Sequence, residues 1–538
     1  MGSSRRTQSV SDLRQQLIPA RVVIGVSGHR RLENQTALAK TVRSAIQSIN
    51  EMLPPMTRTQ VSLCVLSPLA EGADRLVVKE VLKVPSAKLA VILPFEKDKY
   101  IQDFKTSQSR KEFDRLLSQA ISIRTLSNQT ERERSYEKMG RYVVDQCDVL
   151  IAIWNGKLAA GHAGTEEIVQ YARETGCPLI WIRSEEPAKI TIELGRGLFP
   201  RPFHELDEYN SERVKNIEYE NQLQKQLNFF VVKARQAGLP ATSLQAILEY
   251  TLSHYVRADI LAIRYQHLYY GAESTIYTLA LLAVMVAAFQ SIFLPQMPVV
   301  MTLEVILMLA ALATVGINRW RRWHSKWIDY RFLAERFRSA LFMALVNIDV
   351  TALRPPRHLN LAYSPNEWIV PAFISAWSWR PRLKTNISIF SNLKIFVCES
   401  WLEDQIRYHD STRKRHYGRH YSMTVASYIL FGLTICAVLL YVAGIGSQLL
   451  RDFFAFLAAV MPASAASISA IRTHRDYLRN SMRSAEMVNH LEELKAKMLL
   501  SPDYNVFLES VKEAEETMLH EHEDWRVVVR FHTSEVPV

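Results

Sequence analysis

The sequence predicts an α/β domain, a doubly wound parallel sheet of the Rossmann-like type, followed by an all-α membrane region with four transmembrane helices. Three observations carry this. From Arg21 to about Arg183, short apolar runs alternate with amphipathic segments, the pattern of strands wrapped by helices. Two charge-free stretches, Ser274–Leu303 and Tyr421–Leu450, each continue into a second apolar segment. The mean hydropathy is near zero, as a chain that is half soluble and half membrane-embedded would give.

The candidate strands are Val22–Val26, Val61–Leu66, Leu89–Leu93, Val149–Ile153 and Leu179–Ile182, and each runs into loop-forming residues. The first meets Gly25, Ser27, Gly28, His29 and Arg30, and the second meets Glu71, Gly72, Asp74 and Arg75. The fourth leads through Trp154, Asn155 and Gly156 to Gly161, His162, Gly164, Thr165 and Glu166, and then to a helix. In doubly wound sheets the carboxyl ends of the strands share one crevice, and ligands bind there. Glycine lets backbone amides approach a phosphate, and a helix amino end offers N–H groups and a positive dipole. Arg30 and Arg75 are the candidate charge-assisted anion contacts. Tyr136, Gly140 and Arg141 are within reach of the crevice, and Tyr142 reads as packing.

The apolar segments resolve into four spans. A bilayer core needs about 20 apolar residues per helix. Thr275–Leu294 supplies one, Pro295–Pro298 forces a turn, and Val299–Ile317 returns. Thr424 to about Ala443 and Phe453–Ile471 repeat the plan around a turn that holds Gly444 and Gly446. Arg319, Arg321, Arg322, Lys326, Arg413, Lys414, Arg415, Arg419, Arg472, Arg475 and Arg479 flank one side, whereas the opposite turns carry only Arg451. The positive-inside rule places both termini in the cytoplasm of a multi-pass inner-membrane protein. The same residues, facing anionic headgroups, account for much of the +11 net charge, so nucleic acid is not an expected partner. Five scattered cysteines show no metal spacing and fit a reducing compartment. Within the spans, Glu304 lies about 8 Å along its helix from Val299, near the membrane surface. Ser464 and Ser467, among the small residues of the last span, are the candidate pore-lining hydroxyls beside Glu304. The stretch Trp320–Asn347 reads as a continuous helical extension of the second span.

On this reading the chain divides into a disordered tail (1–20), a sensing domain (21–200), a helical linker (201–270), a first hairpin (271–345), a coupling segment (346–400), a second hairpin (401–500) and a C-terminal tail (501–538).

The loops Gly25–Arg30, Glu71–Asp74 and Gly161–Glu167 resemble those of the SLOG domains, the Rossmann-like group that includes the DNA-uptake protein DprA and the cytokinin-activating LOG enzymes. The LOG stretch ends Gly-Thr-x-x-Glu. Here Gly164 and Thr165 match, Ile168 holds the glutamate position, and Glu167 stands one residue early, about 100° round the helix. That departure favours binding without turnover. The resemblance implies a nucleotide-derived signalling ligand, including cyclic ADP-ribose-like molecules, and no cofactor. The two hairpins with polar helical extensions read as an internal repeat. They resemble the SLATT family, two-helix membrane effectors associated with SLOG sensors in bacterial conflict systems.

The expected function is therefore a membrane effector of antiviral defence gated by a nucleotide second messenger, working as a homo-oligomer in the lipid bilayer with a partner enzyme that makes the signal. Ligand binding would open a pore or disrupt the membrane and kill the infected cell. Two alternatives fit the same residues: a membrane-anchored LOG-like hydrolase using Glu167, and a constitutive transporter or structural membrane protein.

Overall fold

The computed structural model describes residues 17–126, 132–157, 164–195, 200–346, 368–381 and 390–530. Most of the expected N-terminal tail, together with Gly161 and His162, lies outside them. The chain forms two units, one of residues 1–213 with 351–380 and one of residues 214–350 with 381–538.

The first unit is built on a seven-stranded sheet. The strands are β1 (Ala20–Gly28), β2 (Val61–Ser67), β3 (Lys88–Leu93), β4 (Ala120–Thr125), β5 (Val149–Trp154), β6 (Leu179–Arg183) and β7 (Ile190–Glu193), in the spatial order β4-β3-β2-β1-β5-β6-β7. All pairings are parallel except β6 with β7. The helices of this unit are α1 (Gln35–Glu51), α2 (Ala73–Val81), α3 (Ser107–Leu117), α4 (Arg132–Gln146), α5 (Thr165–Glu174) and α6 (Pro200–Ser211). The five strands expected from the sequence are present. They are covered on both faces, so their sequences are unbroken apolar runs. The sequence reading lacked β4 and β7, which lie at the two edges of the sheet and are only half-buried.

Two elements outside the expected sensing core complete this unit. On α6, Asn210 exchanges hydrogen bonds with the backbone of Ile18 at 3.1 and 2.8 Å, fixing the entry into β1. The helix Ile369–Trp377 packs on β1, with Ser375 Oγ donating to the Pro19 carbonyl at 2.6 Å. Part of the 346–400 segment is thus core of the sheet unit, and its large apolar side chains, Phe373 and Trp377 among them, are buried for that reason.

The second unit is helical: α7 (Asn216–Gln236), α8 (Ala241–Phe293), α9 (Met301–Arg321), α10 (Trp323–Leu345), α11 (Phe390–Val397), α12 (Glu403–Val442), α13 (Gln448–His474), α14 (Tyr477–Leu500) and α15 (Tyr504–Arg530). A π-helical turn, Cys398–Leu402, joins α11 to α12. Among the described residues, four helices are long and apolar enough to cross a membrane, and at most 17% of the residues in any of their most apolar windows are buried within the chain. Surfaces so apolar and so uncovered need lipid or another chain around them. Within the unit α8 packs on α9 and α13, and α13 packs on α12. Pro462 sits inside α13 without ending it.

Three expectations change here. Residues 504–530, read as a tail, form α15, which packs on α10 and α14. The linker 201–270 divides between α6 of the sheet unit and α7 and α8 of the helical one. The extension through Trp320–Asn347 is not continuous: Arg322, at φ 55 and ψ 33, separates α9 from α10.

Candidate functional site

The chain winds from β1 outward through β2, β3 and β4, then returns to place β5 on the other side of β1. That reversal opens a crevice beyond the carboxyl ends of β1 and β5. Gly28 stands level with Ile153 in the β1–β5 register, so the two loops leave the sheet side by side. His29 joins them: its backbone N–H donates to the Ile153 carbonyl at 3.0 Å, and its Nε2 accepts from the Asn155 backbone N–H at 3.3 Å.

The loop after β2 closes against the same point. The Ala73 N–H at the start of α2 donates to the His29 carbonyl at 3.0 Å. Gly72, at φ +82, has no room for a side chain, since a Cβ there would lie 2.3 Å from the His29 carbonyl oxygen and 2.4 Å from that of Arg30. Gly28 is equally confined, 2.4 Å from the Ala73 Cβ. These glycines bring backbone against backbone, so their conformational requirement is met by the fold itself.

Asp74 and Arg75, both expected in the crevice, are 4% exposed and committed to the protein. Asp74 Oδ2 accepts from Ser67 Oγ and from the Ala70 N–H, each at 3.3 Å. Burial pushes its carboxyl up to about 7, against the smaller opposing effects of those hydrogen bonds and of Arg30 and Arg75. Arg75 donates to the Leu69 carbonyl, to Ser109 and to Glu112 at 2.8–3.1 Å, and stacks on Phe104 at 4.6 Å. It staples α2 to α3, while its Nη2 is buried without a hydrogen-bond partner. Glu71 belongs to the same cluster, accepting from Ser109 Oγ. Sequence reading missed Ser109 and Glu112 because nothing in α3 marks a helix whose first turn receives a buried guanidinium.

Gly25 is likewise structural, since a Cβ would lie 2.8 Å from Cys147 Sγ. Gly140 admits the Ile168 side chain, whose Cδ1 would stand 2.3 Å from an added Cβ, and Ile168 is buried in the core between α4 and α5. A glutamate at 168 would put a carboxylate into that apolar contact.

What stays open at the crevice is a smaller set. Arg30 is exposed, with its guanidinium 5.5 Å from the Tyr136 ring; Ser27, Gly28, His29, Gly164, Thr165 and Glu166 are half-buried. Tyr136 donates to Asp103, which also pairs with Arg132. Arg132 and Lys99 lie over Phe95 at 5.1 and 4.8 Å. The result is an aromatic and cationic rim, made by Arg30, Lys99, Arg132, Phe95 and Tyr136, of which the sequence flagged Arg30 and Tyr136. The first turn of α5 carries Glu166 and Glu167.

In the apolar helices, Ser464 donates to the Val460 carbonyl of its own helix at 2.9 Å, and Ser467 is half-buried. Glu304 stands in the first turn of α9 beside the Pro298–Val300 turn, where a helix amino end favours an acid.

A family model described as SMODS and SLOG-associating 2TM effector domain 1 (SLATT_1) matches residues 399–525, the stretch from the π-helical turn through α12, α13 and α14 into α15. No curated protein matches the chain.

Proposed function

We propose that this chain is a ligand-gated membrane effector of bacterial antiviral defence. The observation that carries this is the family match at residues 399–525, which coincides with the second apolar hairpin and its inner helices. The reading joins that module to a Rossmann-like sheet whose switch-point crevice keeps Arg30 exposed. The ligand class is a nucleotide-derived second messenger, supplied by a partner enzyme. Its phosphate meets Arg30 at the aromatic rim. The hairpins lie in the inner membrane with both termini cytoplasmic, an orientation that the basic flanks of the spans favour. In a homo-oligomer they open a pore or rupture the bilayer and kill the infected cell. Moving such a gate from 1:99 to 99:1 takes about 5.5 kcal/mol of differential binding, which several phosphate contacts shared over an oligomer can supply. Ile168 in the core supports binding without turnover, so no catalytic residue is assigned.

The test is Arg30→Ala in cells and in the purified full-length chain. The variant is expected to lose ligand-triggered toxicity and the thermal stabilisation that a nucleotide screen finds for the wild type, while still inserting in the membrane. Full activity in the variant would refute the assignment.

A further inference from the structure

Both apolar hairpins return along a helix that is broken at one residue. In the first, Arg322 (φ 55, ψ 33) separates α9 from α10; in the second, Asp476 (φ 47, ψ 38) separates α13 from α14. The left-handed conformation disfavours every residue with a Cβ, Asp less than Arg. Neither Arg319–Ser325 nor Arg472–Leu478 contains a glycine or proline. Sharp helix breaks normally have such a local cause. Neither break therefore has a glycine or proline to account for it, and only Asp476 is of a residue type that tolerates the left-handed region. Neither following helix has a side-chain cap at its amino end.

One stretch of α8 touches both breaks. The Tyr269 ring lies 4.5 Å from His324 and 5.7 Å from Trp327 just beyond the first break, and 6.3 Å from His474 just before the second. Glu273 Oε1 accepts from His474 Nε2 at 2.9 Å. Arg475 Nη2 donates to the Tyr270 carbonyl at 3.2 Å and to Ser274 Oγ at 2.8 Å, and its guanidinium lies 4.6 Å from the Tyr270 ring. Glu273 is 3% exposed, in contact with groups of the joint rather than with water.

We propose that Tyr269–Ser274 of α8 is a latch that holds both joints bent, and that on its release each broken pair becomes one continuous helix. The sequence supplies the straight state and tertiary contact supplies the bent one, so the joints are two-state elements. This concerns how the membrane helices change shape, and holds whichever ligand acts on the chain.

The experiment measures the distance between spin labels at Ala466 and Met482, both exposed, in the Cys436→Ser full-length chain in phosphatidylethanolamine/phosphatidylglycerol nanodiscs. An unbroken helix puts these sites about 24 Å apart along its axis. Glu273→Ala with Ser274→Ala is expected to add or enlarge a population at that separation. Adding Asp476→Gly, which removes the strain of the bent state, is expected to suppress that population about tenfold, and adding Asp476→Val to enlarge it. Retained helicity by circular dichroism separates a joint effect from unfolding. If Asp476→Val fails to fold, the glycine arm decides. A latch-broken chain with the wild-type distance distribution, or one indifferent to Asp476→Gly, overturns the proposal.

Discussion

The two hairpins share a plan and differ in what surrounds them. Each has a long first helix, a turn of a few residues, an apolar return and a further helix after a left-handed residue. In the first, every residue of α10 from Trp327 to Leu345 is buried except Arg331, Arg338 and Ala344, which are half-buried. In the second, α14 buries a single stripe, Tyr477, Ser481, Ser484, Val488, Leu491 and Met498 among it, and leaves its other face to solvent. The first hairpin therefore supplies the centre of the helical unit and the second its flank. That explains why amphipathic periodicity is readable in 477–500 and absent from 323–345, since a helix enclosed on all sides has no polar face to alternate with. The family match falls on the flank hairpin.

The largest test of this contrast is at Glu335. Its carboxylate, 3% exposed, pairs with Arg331 at 2.7 Å and with Arg338, while Arg331 also reaches Asp259 on α8 at 2.8 Å and Arg338 reaches Gln405 on α12 at 2.9 Å. Removing one partner of a buried ion network leaves uncompensated charge, which costs about 3–5 kcal/mol. Glu335→Ala is expected to lower the stability of the full chain by that amount in denaturant titration in detergent. A loss below about 1 kcal/mol would mean that α10 is no more central than α14.

Asp74 gives the opposite case, a carboxylate buried in the sheet unit without a salt bridge. With its pKa raised from 3.8 to about 7, the folded state keeps a proton that the unfolded chain has released. Between these values the folded state binds more protons, so stability falls as pH rises from about 4 to 7, and the whole cost is present above 7. The shift corresponds to roughly 4 kcal/mol. Asp74→Asn keeps an acceptor for Ser67 and Ala70 and removes the titration. Its stability relative to wild type should therefore grow with pH across that window, read from unfolding curves at pH 4, 6 and 8. A constant difference would show that Asp74 is ionised in the fold.

Strands and apolar spans were legible because each depends on a pattern of residue types. The edge strands β4 and β7 were not, since half-exposed edges carry no continuous apolar run. Within the crevice, chemistry alone could not tell Arg30 from Arg75. Both follow a strand-end loop, but Arg75 sits on α2 facing α3 and is consumed by Ser109 and Glu112, while Arg30 precedes any helix and stays exposed. The broken joints were illegible for the reverse reason. At Arg322 and Asp476 no glycine or proline marks a break, and the α8 residues beside the joints lie far away in the chain.

The smallest expected effect sharpens the same contrast from the flank. Arg483 on α14 donates to the Glu521 carbonyl at 2.9 Å and pairs with its carboxylate at 3.3 Å, both side chains being about one-fifth exposed. A pair near solvent gains little Coulomb energy and is screened by salt, so Arg483→Ala should cost less than about 1 kcal/mol. The loss should shrink further between 50 mM and 500 mM salt. The Glu335 effect should persist over the same range, because its partners are shielded from ions by the helices around them. Equal salt dependence at the two sites would place α10 and α14 in equivalent surroundings, and the division into a central and a flanking hairpin would not stand.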